Sequence, residues 1–108
     1  MNKTIDLDML EKFINKQVAL YIYRDRVALK ELLRELADRK IKWQSGCYAD
    51  VFMPRQDAKF PYLYWNDEGR LCLYSKRGIE DEGVKLVNIS DMFTVMTCTN
   101  PSEILDLL

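Results

Sequence analysis

The sequence predicts an α+β fold, with a mostly antiparallel sheet of about five strands, one main helix on one face, and short terminal helices. Three observations predict it: alternating apolar residues over 17–23, a helical apolar stripe over about 25–39, and a hairpin signal over 62–74. The 108 residues are close to the commonest domain length. We therefore expect one domain over residues 1–108.

A short helix is predicted over residues 6–15. Leu10, Phe13 and Ile14 fall on one side of it, and Asp8 lies in the first turn, where the helix dipole favours a carboxylate. This pattern indicates a helix that packs one apolar side on the domain.

A strand and then the main helix follow. Residues 17–23 alternate apolar and tyrosine-rich positions, which is typical of a strand. Asp25 can cap the helix predicted over about 25–39. The helix carries an apolar stripe of Val27, Ala28, Leu32, Leu33, Leu36 and Ala37.

The second half of the chain predicts shorter elements. Residues 41–44 read as a strand, 48–60 as a long loop, 78–83 as an acidic loop and 85–90 as a last strand. Pro101 follows a possible cap, so a short helix is predicted after it.

The hairpin is the clearest local signal. A three-residue loop over 67–69, closed by a left-handed glycine, places Asn66 opposite Arg70 and Trp65 opposite Leu71. Because side chains alternate along a strand, the two faces then differ. One face carries Leu63, Trp65, Leu71 and Leu73, and the other carries Tyr62, Tyr64, Cys72 and Tyr74.

Both tryptophans are predicted to be buried against the main helix. Trp43 and Trp65 fall with the aliphatic side of the predicted sheet. The rest of this predicted core is Leu20, Ile22, Leu32, Leu33, Leu36, Leu63, Leu71 and Leu73.

Composition argues against several function classes. A formal charge of -1 gives no overall field toward nucleic acid or an anionic membrane, so we expect no membrane binding and no direct nucleic-acid binding. The sequence has no histidine and three widely spaced cysteines, which leaves no zinc pattern and no usual general base. We expect no cofactor, no metal and no enzymatic activity. The start of the chain lacks the apolar core of a signal peptide, which predicts a cytoplasmic location.

The first candidate binding surface is a tyrosine face. Alternation along the strands places five of the six tyrosines on the face away from the aliphatic side: Tyr21, Tyr23, Tyr62, Tyr64 and Tyr74. Tyrosine is enriched where proteins recognise partners. The alternative is that terminal segments cover this face, with Leu10, Phe13, Ile14, Met92, Phe93 and Ile104 available to do so.

The second candidate is a basic stripe. Arg26, Lys30 and Arg34 recur every four residues on the main helix, so they share a side that suits phosphate or an acidic protein surface. The alternative is a solvated helix side whose charges are compensated locally by Glu31, Glu35 and Asp38.

Three segments resemble a group of small, mostly uncharacterised α+β domains encoded by phages and prophages. The segments are Ile-Lys-Trp-Gln-Ser-Gly at 41–46, the hairpin over 62–73, and the stretch over 82–93. The resemblance implies a phage accessory protein that works by blocking a host system.

The leading functional expectation is a non-enzymatic protein of the host bacterial cytoplasm. It would bind and inhibit a host protein, in an anti-CRISPR-like or other anti-defence role. The alternative is a protein that sequesters a small nucleotide, with tyrosines stacking on the base and Arg70 or Arg77 meeting a phosphate. A homo-oligomer is compatible with either expectation.

Overall fold

A computed structural model describes residues 2–55 and 57–96. Its elements in chain order are β1 (Asn2–Ile5), α1 (Leu7–Ile14), β2 (Val18–Tyr21), α2 (Arg26–Asp38), β3 (Tyr62–Trp65), β4 (Leu71–Tyr74), α3 (Lys76–Asp81), β5 (Lys85–Asn88), a 3₁₀ turn (Ile89–Met92) and β6 (Phe93–Met96).

The strands form two sheets. The larger has the order β4-β3-β2-β5, in which β5 runs parallel to β2 and the other neighbours are antiparallel. β1 and β6 pair as a separate antiparallel ribbon. The predicted α+β class is confirmed. The ribbon was not predicted, because its two strands lie at opposite ends of the described chain and carry no local pairing signal.

Side-chain caps start both of the first two helices. Asp6 accepts hydrogen bonds from the backbone N–H groups of Asp8 at 3.0 Å and Met9 at 3.3 Å. Asp25 accepts one from Ala28 at 3.1 Å, as the sequence predicts. These bonds satisfy donors that a helix start leaves unpaired, so the polar residues fix where α1 and α2 begin.

The hairpin has the predicted register. Trp65 pairs with Leu71 and Leu63 with Leu73, while Asn66 N donates to Arg70 O at 2.8 Å. Gly69 has a φ of 76°, the left-handed conformation that the three-residue loop needs.

Both tryptophans are buried, as predicted, with exposed fractions of 4% for Trp43 and 6% for Trp65. The contacts of Trp65 differ from the prediction. Its ring packs on Phe13 of α1 at 5.0 Å, and its Nε1 donates to Phe13 O at 2.7 Å. The aliphatic face therefore receives α1 as well as the main helix. Leu73, predicted in the core, is only partly buried.

The segment predicted as a strand over 41–44 forms isolated bridges instead. Leu71 N donates to Lys42 O at 2.9 Å, and Gln44 N donates to Leu71 O at 3.0 Å. A second bridge joins Lys42 to Tyr48. The segment thus lies along the outer edge of β4 without continuing it.

The acidic loop predicted over 78–83 is largely helical, which is a correction. Ser75 accepts from Gly78 N at 3.1 Å and caps α3, and Ile79 anchors the helix because it is fully buried. The carboxylates of 80–82 remain exposed. The strand predicted over 85–90 is β5, and it ends at Asn88, two residues earlier than predicted. The helix predicted after Pro101 lies outside the described residues.

Candidate functional site

Four of the five predicted tyrosines, Tyr21, Tyr62, Tyr64 and Tyr74, share one face of the larger sheet, whereas Tyr23 lies in the turn after β2 with its ring centroid 6.4 Å from that of Tyr21. Tyr21 pairs with Tyr62, and Tyr62 with Tyr74. Their rings contact one another, with centroids 5.4 Å apart for Tyr21 and Tyr62, and 6.0 Å apart for Tyr64 and Tyr74. Tyr62 and Tyr64 are only 9% and 6% exposed, however, and Tyr21, Tyr23 and Tyr74 are half-buried. The tyrosine face is not an open five-residue surface.

Two tyrosine hydroxyls bond within the protein. Tyr64 Oη donates to Lys16 O at 2.8 Å, and Tyr74 Oη donates to Trp65 O at 2.7 Å. Burial and then the nearby charge of Glu82 raise the pKa of Tyr64. Burial is also the main cause that raises the pKa of Tyr74. The charges of neighbouring groups raise it further, and that of Cys72 has the largest effect among them. Both hydroxyls therefore stay protonated and act as structural donors.

α3 covers part of this face. A methyl group at Gly78 would lie 3.6 Å from Tyr74 Cδ2, so the helix backbone lies directly against that ring. The predicted cover was a terminal segment including Phe13, but Phe13 packs on Trp65, on the opposite face. Ile104, another member of that predicted cover, lies outside the described residues.

The basic stripe lies on the solvent side of α2. Arg34 Nη1 is 3.5 Å from Glu31 Oε1, and both side chains are about half exposed. Arg26 Nη1 donates to Pro54 O at 3.2 Å. Lys30 is exposed and forms no ion pair among residues 2–55 and 57–96. The expected local compensation is therefore present for Arg34 only.

The stripe lines one wall of a groove of about 520 Å³. Asp50 and Met53, from the loop that follows residue 47, form the opposite wall. The three cations thus border the loop while their side chains remain exposed to solvent.

That loop, residues 48–60, exposes most of the large apolar side chains found on the described surface. Tyr48 is 44% exposed, Val51 69%, Phe52 50% and Phe60 47%. Three other large apolar residues are exposed in the described ranges, and they are scattered: Leu7, Val27 and Leu86. A local concentration of apolar surface is a sign of recognition, whereas single exposed residues are ordinary.

Several bonds hold the loop in place. Trp43 Nε1 donates to Ala49 O at 2.9 Å, and Ala49 N donates to Ile41 O at 3.0 Å. Further along, Pro54 is buried and accepts from Arg26. Since both ends of the stretch 49–54 are fixed, the backbone that carries the exposed side chains is held in place before any partner arrives, which lowers the entropy cost of binding.

An apolar pocket of about 470 Å³ opens beside the same loop. Phe52 stands edge-on to the ring of Trp43 at 5.4 Å and 84°. The full lining is Trp43, Gln44, Ser45, Cys47, Phe52, Cys72 and Leu73. A pocket of this kind can receive one apolar side chain of another molecule.

The Cys72 thiol in this pocket favours its protonated form. Burial raises the pKa of the Cys72 thiol, and its Sγ lies 3.4 Å from Gln44 Oε1. A protonated thiol is a weak nucleophile. Within the described residues no three metal-ligating side chains cluster, and no helix there has the length and apolarity to cross a membrane.

A shallow depression at the start of α2 combines tyrosine with arginine. Tyr23, Arg24 and Arg26 line it, and the guanidinium of Arg24 lies 5.2 Å from the Tyr23 ring centre. Asp25 also lines it and adds a negative charge. The arginines expected for this role, Arg70 and Arg77, do not line this depression.

Comparison of the chain with protein-family models, with curated proteins and with solved structures gave no match. From the sequence, the loop over 48–60 was the next candidate only if the tyrosine face proved to be packed, and no residue in the loop was singled out. A cluster such as Val51-Phe52-Met53 inside a predicted loop was the available signal, because loops ordinarily carry polar residues.

Proposed function

We propose that this chain is a non-catalytic protein-binding domain that inhibits a host protein by occupying its surface. In this proposal it is a phage or prophage accessory protein that acts in the host bacterial cytoplasm, with a defence component as the target class. The loop over 48–60 supplies the contact surface, which replaces the tyrosine face of the sequence-based hypothesis.

One observation carries the proposal: Phe52 is half exposed, is fixed against Trp43, and borders an apolar pocket. An aromatic ring that packs on a buried neighbour and borders a concave apolar surface is the arrangement that anchors protein interfaces. Tyr48 and Val51 extend the apolar surface around it. The phage origin and the host target are supported only by the resemblance of 41–46, 62–73 and 82–93.

The test is a pull-down from a host lysate with three baits: the unmodified chain, Phe52→Ala, and Leu86→Ala as the control. Leu86 is an exposed apolar residue of β5 outside the loop. We expect a protein retained by the unmodified chain and by Leu86→Ala but lost with Phe52→Ala, and we expect the unmodified chain to weaken phage restriction in the host. A partner held equally by all three baits would refute the loop surface, and no partner with no effect on restriction would refute the inhibitor role.

A second candidate function is nucleotide sequestration, favoured by the depression of Tyr23, Arg24 and Arg26. A base could stack on the tyrosine while a guanidinium meets a phosphate. Calorimetry of the chain against a panel of mono-, di- and cyclic nucleotides tests it. Heat that disappears with Tyr23→Ala would support this function, and absence of heat across the panel would remove it.

A further inference from the structure

The loop over 48–60 lines two depressions, one basic and one apolar. Met53 lines the basic groove, while the adjacent Phe52 lines the apolar pocket. Successive Cα atoms are about 3.8 Å apart, so the two depressions meet at the same short stretch of the loop. A short extended segment that crosses this stretch would reach both.

The basic groove carries an excess of positive charge. Arg26 donates a guanidinium N–H to the carbonyl oxygen of Pro54. That carbonyl is neutral, so the positive charge of Arg26 is not cancelled by this bond. Lys30 has no ion pair within the described ranges, and the exposed contact of Arg34 with Glu31 is long at 3.5 Å. Asp50 is the one carboxylate in the lining, against three cations. The groove is locally cationic in a chain whose formal charge is -1.

Nucleic acid fits this groove poorly. The cations are interspersed with Val27, Leu33 and Met53, and they occupy one helix side without continuing along a track. Repeated phosphates need a longer line of cations than three. A few carboxylates on a peptide match the number of charges and tolerate the apolar neighbours.

We propose that the partner is recognised through a short acidic segment with one apolar anchor. Its carboxylates lie over Arg26 and Lys30, and its anchor side chain enters the pocket that Phe52 and Trp43 help to line. This inference rests on the proposed function and specifies the chemistry of the target. It predicts that the two halves of the site act together, since neither a free carboxylate nor an isolated apolar side chain fills both depressions.

The experiment uses a displayed library of random dodecapeptides panned against the full chain, with Phe52→Ala panned in parallel. We expect the unmodified chain to enrich peptides in which Asp or Glu residues lie within a few positions of a Leu, Phe or Trp. A synthetic peptide of the enriched consensus should bind about five- to tenfold more weakly to Lys30→Glu, because charge reversal removes one attraction and adds one repulsion. Lys85→Glu, the same change on exposed β5, should bind as the unmodified chain does.

The outcomes separate the two proposals. Enriched apolar peptides without acidic residues, bound equally by Lys30→Glu, overturn the acidic segment and leave the apolar anchor standing. Enrichment that is identical with Phe52→Ala, or no enrichment at all, overturns the anchor pocket and with it the loop surface. Enrichment of basic peptides contradicts the charge argument directly. Affinity of the consensus peptide should also fall between about 50 mM and about 300 mM salt, as exposed charge pairs are screened.

Discussion

The β3–β4 hairpin and the loop over 48–60 are both rich in aromatic residues, and they use them differently. The hairpin buries Tyr62, Tyr64 and Trp65, and the hydroxyl or indole groups of the last two donate to backbone carbonyls. The loop leaves Phe52 and Phe60 about half exposed. The comparison indicates that the aromatic residues of the regular elements stabilise the fold, whereas those of the loop are available for recognition.

The largest expected effect is on the hairpin side. Trp65→Ala should lower the free energy of unfolding by about 3–5 kcal/mol, because it removes a buried ring and the bond to Phe13 O. Urea unfolding followed by circular dichroism measures it. Trp43→Ala should cost a similar amount, since that ring is equally buried and its Nε1 holds Ala49. A loss below about 1 kcal/mol for Trp65→Ala would mean that the hairpin core is not where the stability resides.

The next effect should separate stability from binding. Phe52→Ala should lower the free energy of unfolding by about 1 kcal/mol or less, because half of the ring is already in solvent. It should weaken partner binding by about 2 kcal/mol or more if the ring is an interface anchor. Urea unfolding and titration calorimetry of the same sample give both numbers. Equal losses in the two measurements would place Phe52 in the fold and erase the contrast with the hairpin.

A smaller effect tests the tyrosine hydroxyls. Tyr64→Phe removes the donor to Lys16 O and should cost about 1 kcal/mol of unfolding free energy. Tyr23→Phe is the matched control, and we expect a change within about 0.5 kcal/mol. If both variants behave alike, the hydroxyl of Tyr64 has no structural role. Partner binding should be unchanged in both.

The smallest effect is a pH dependence confined to alkaline solution. The folded pKa values of Tyr64, Tyr74 and Cys72 are raised, so the folded state holds their protons more tightly than the unfolded chain does. Stability from these groups is complete below their ordinary pKa values and falls as pH rises through about 9 to 10 and beyond. Thermal unfolding across pH 8 to about 11 should show this decline. Cys72→Ala should reduce the decline in stability at the lower end of this pH range, because the thiol titrates before the tyrosines. A rise in stability with pH over the same range would contradict the raised pKa values.

Sequence predicted the features that local chemistry decides. The cap at Asp25 depends on a bond to a residue three positions away, and the hairpin register depends on the turn over 67–69. The faces of the sheet followed from strand alternation alone. What covers the tyrosine face did not follow, because α3 depends on the burial of Ile79 in a segment whose charges read as a loop.

The candidate site was less accessible to sequence reasoning than the fold. The basic stripe was visible because Arg26, Lys30 and Arg34 recur at helical spacing. The loop that forms the opposite wall of the groove could not be predicted. It is held against α2 by a hydrogen bond between Arg26 and Pro54, which are 28 residues apart in the sequence. Exposure of Phe52 depends on how the intervening backbone is fixed, and that arrangement has no periodic signature.

The β1–β6 ribbon joins two segments about 90 residues apart in the sequence, with Ile5 opposite Phe93. During translation Ile5 therefore has to wait for its partner. At about 5–20 residues per second, the delay is roughly 4–18 s. Until then β1 lacks the strand that it pairs with. The ribbon can therefore form only after residue 93 has been made, and the larger sheet is under the same constraint at β5, whose parallel pairing with β2 also closes late.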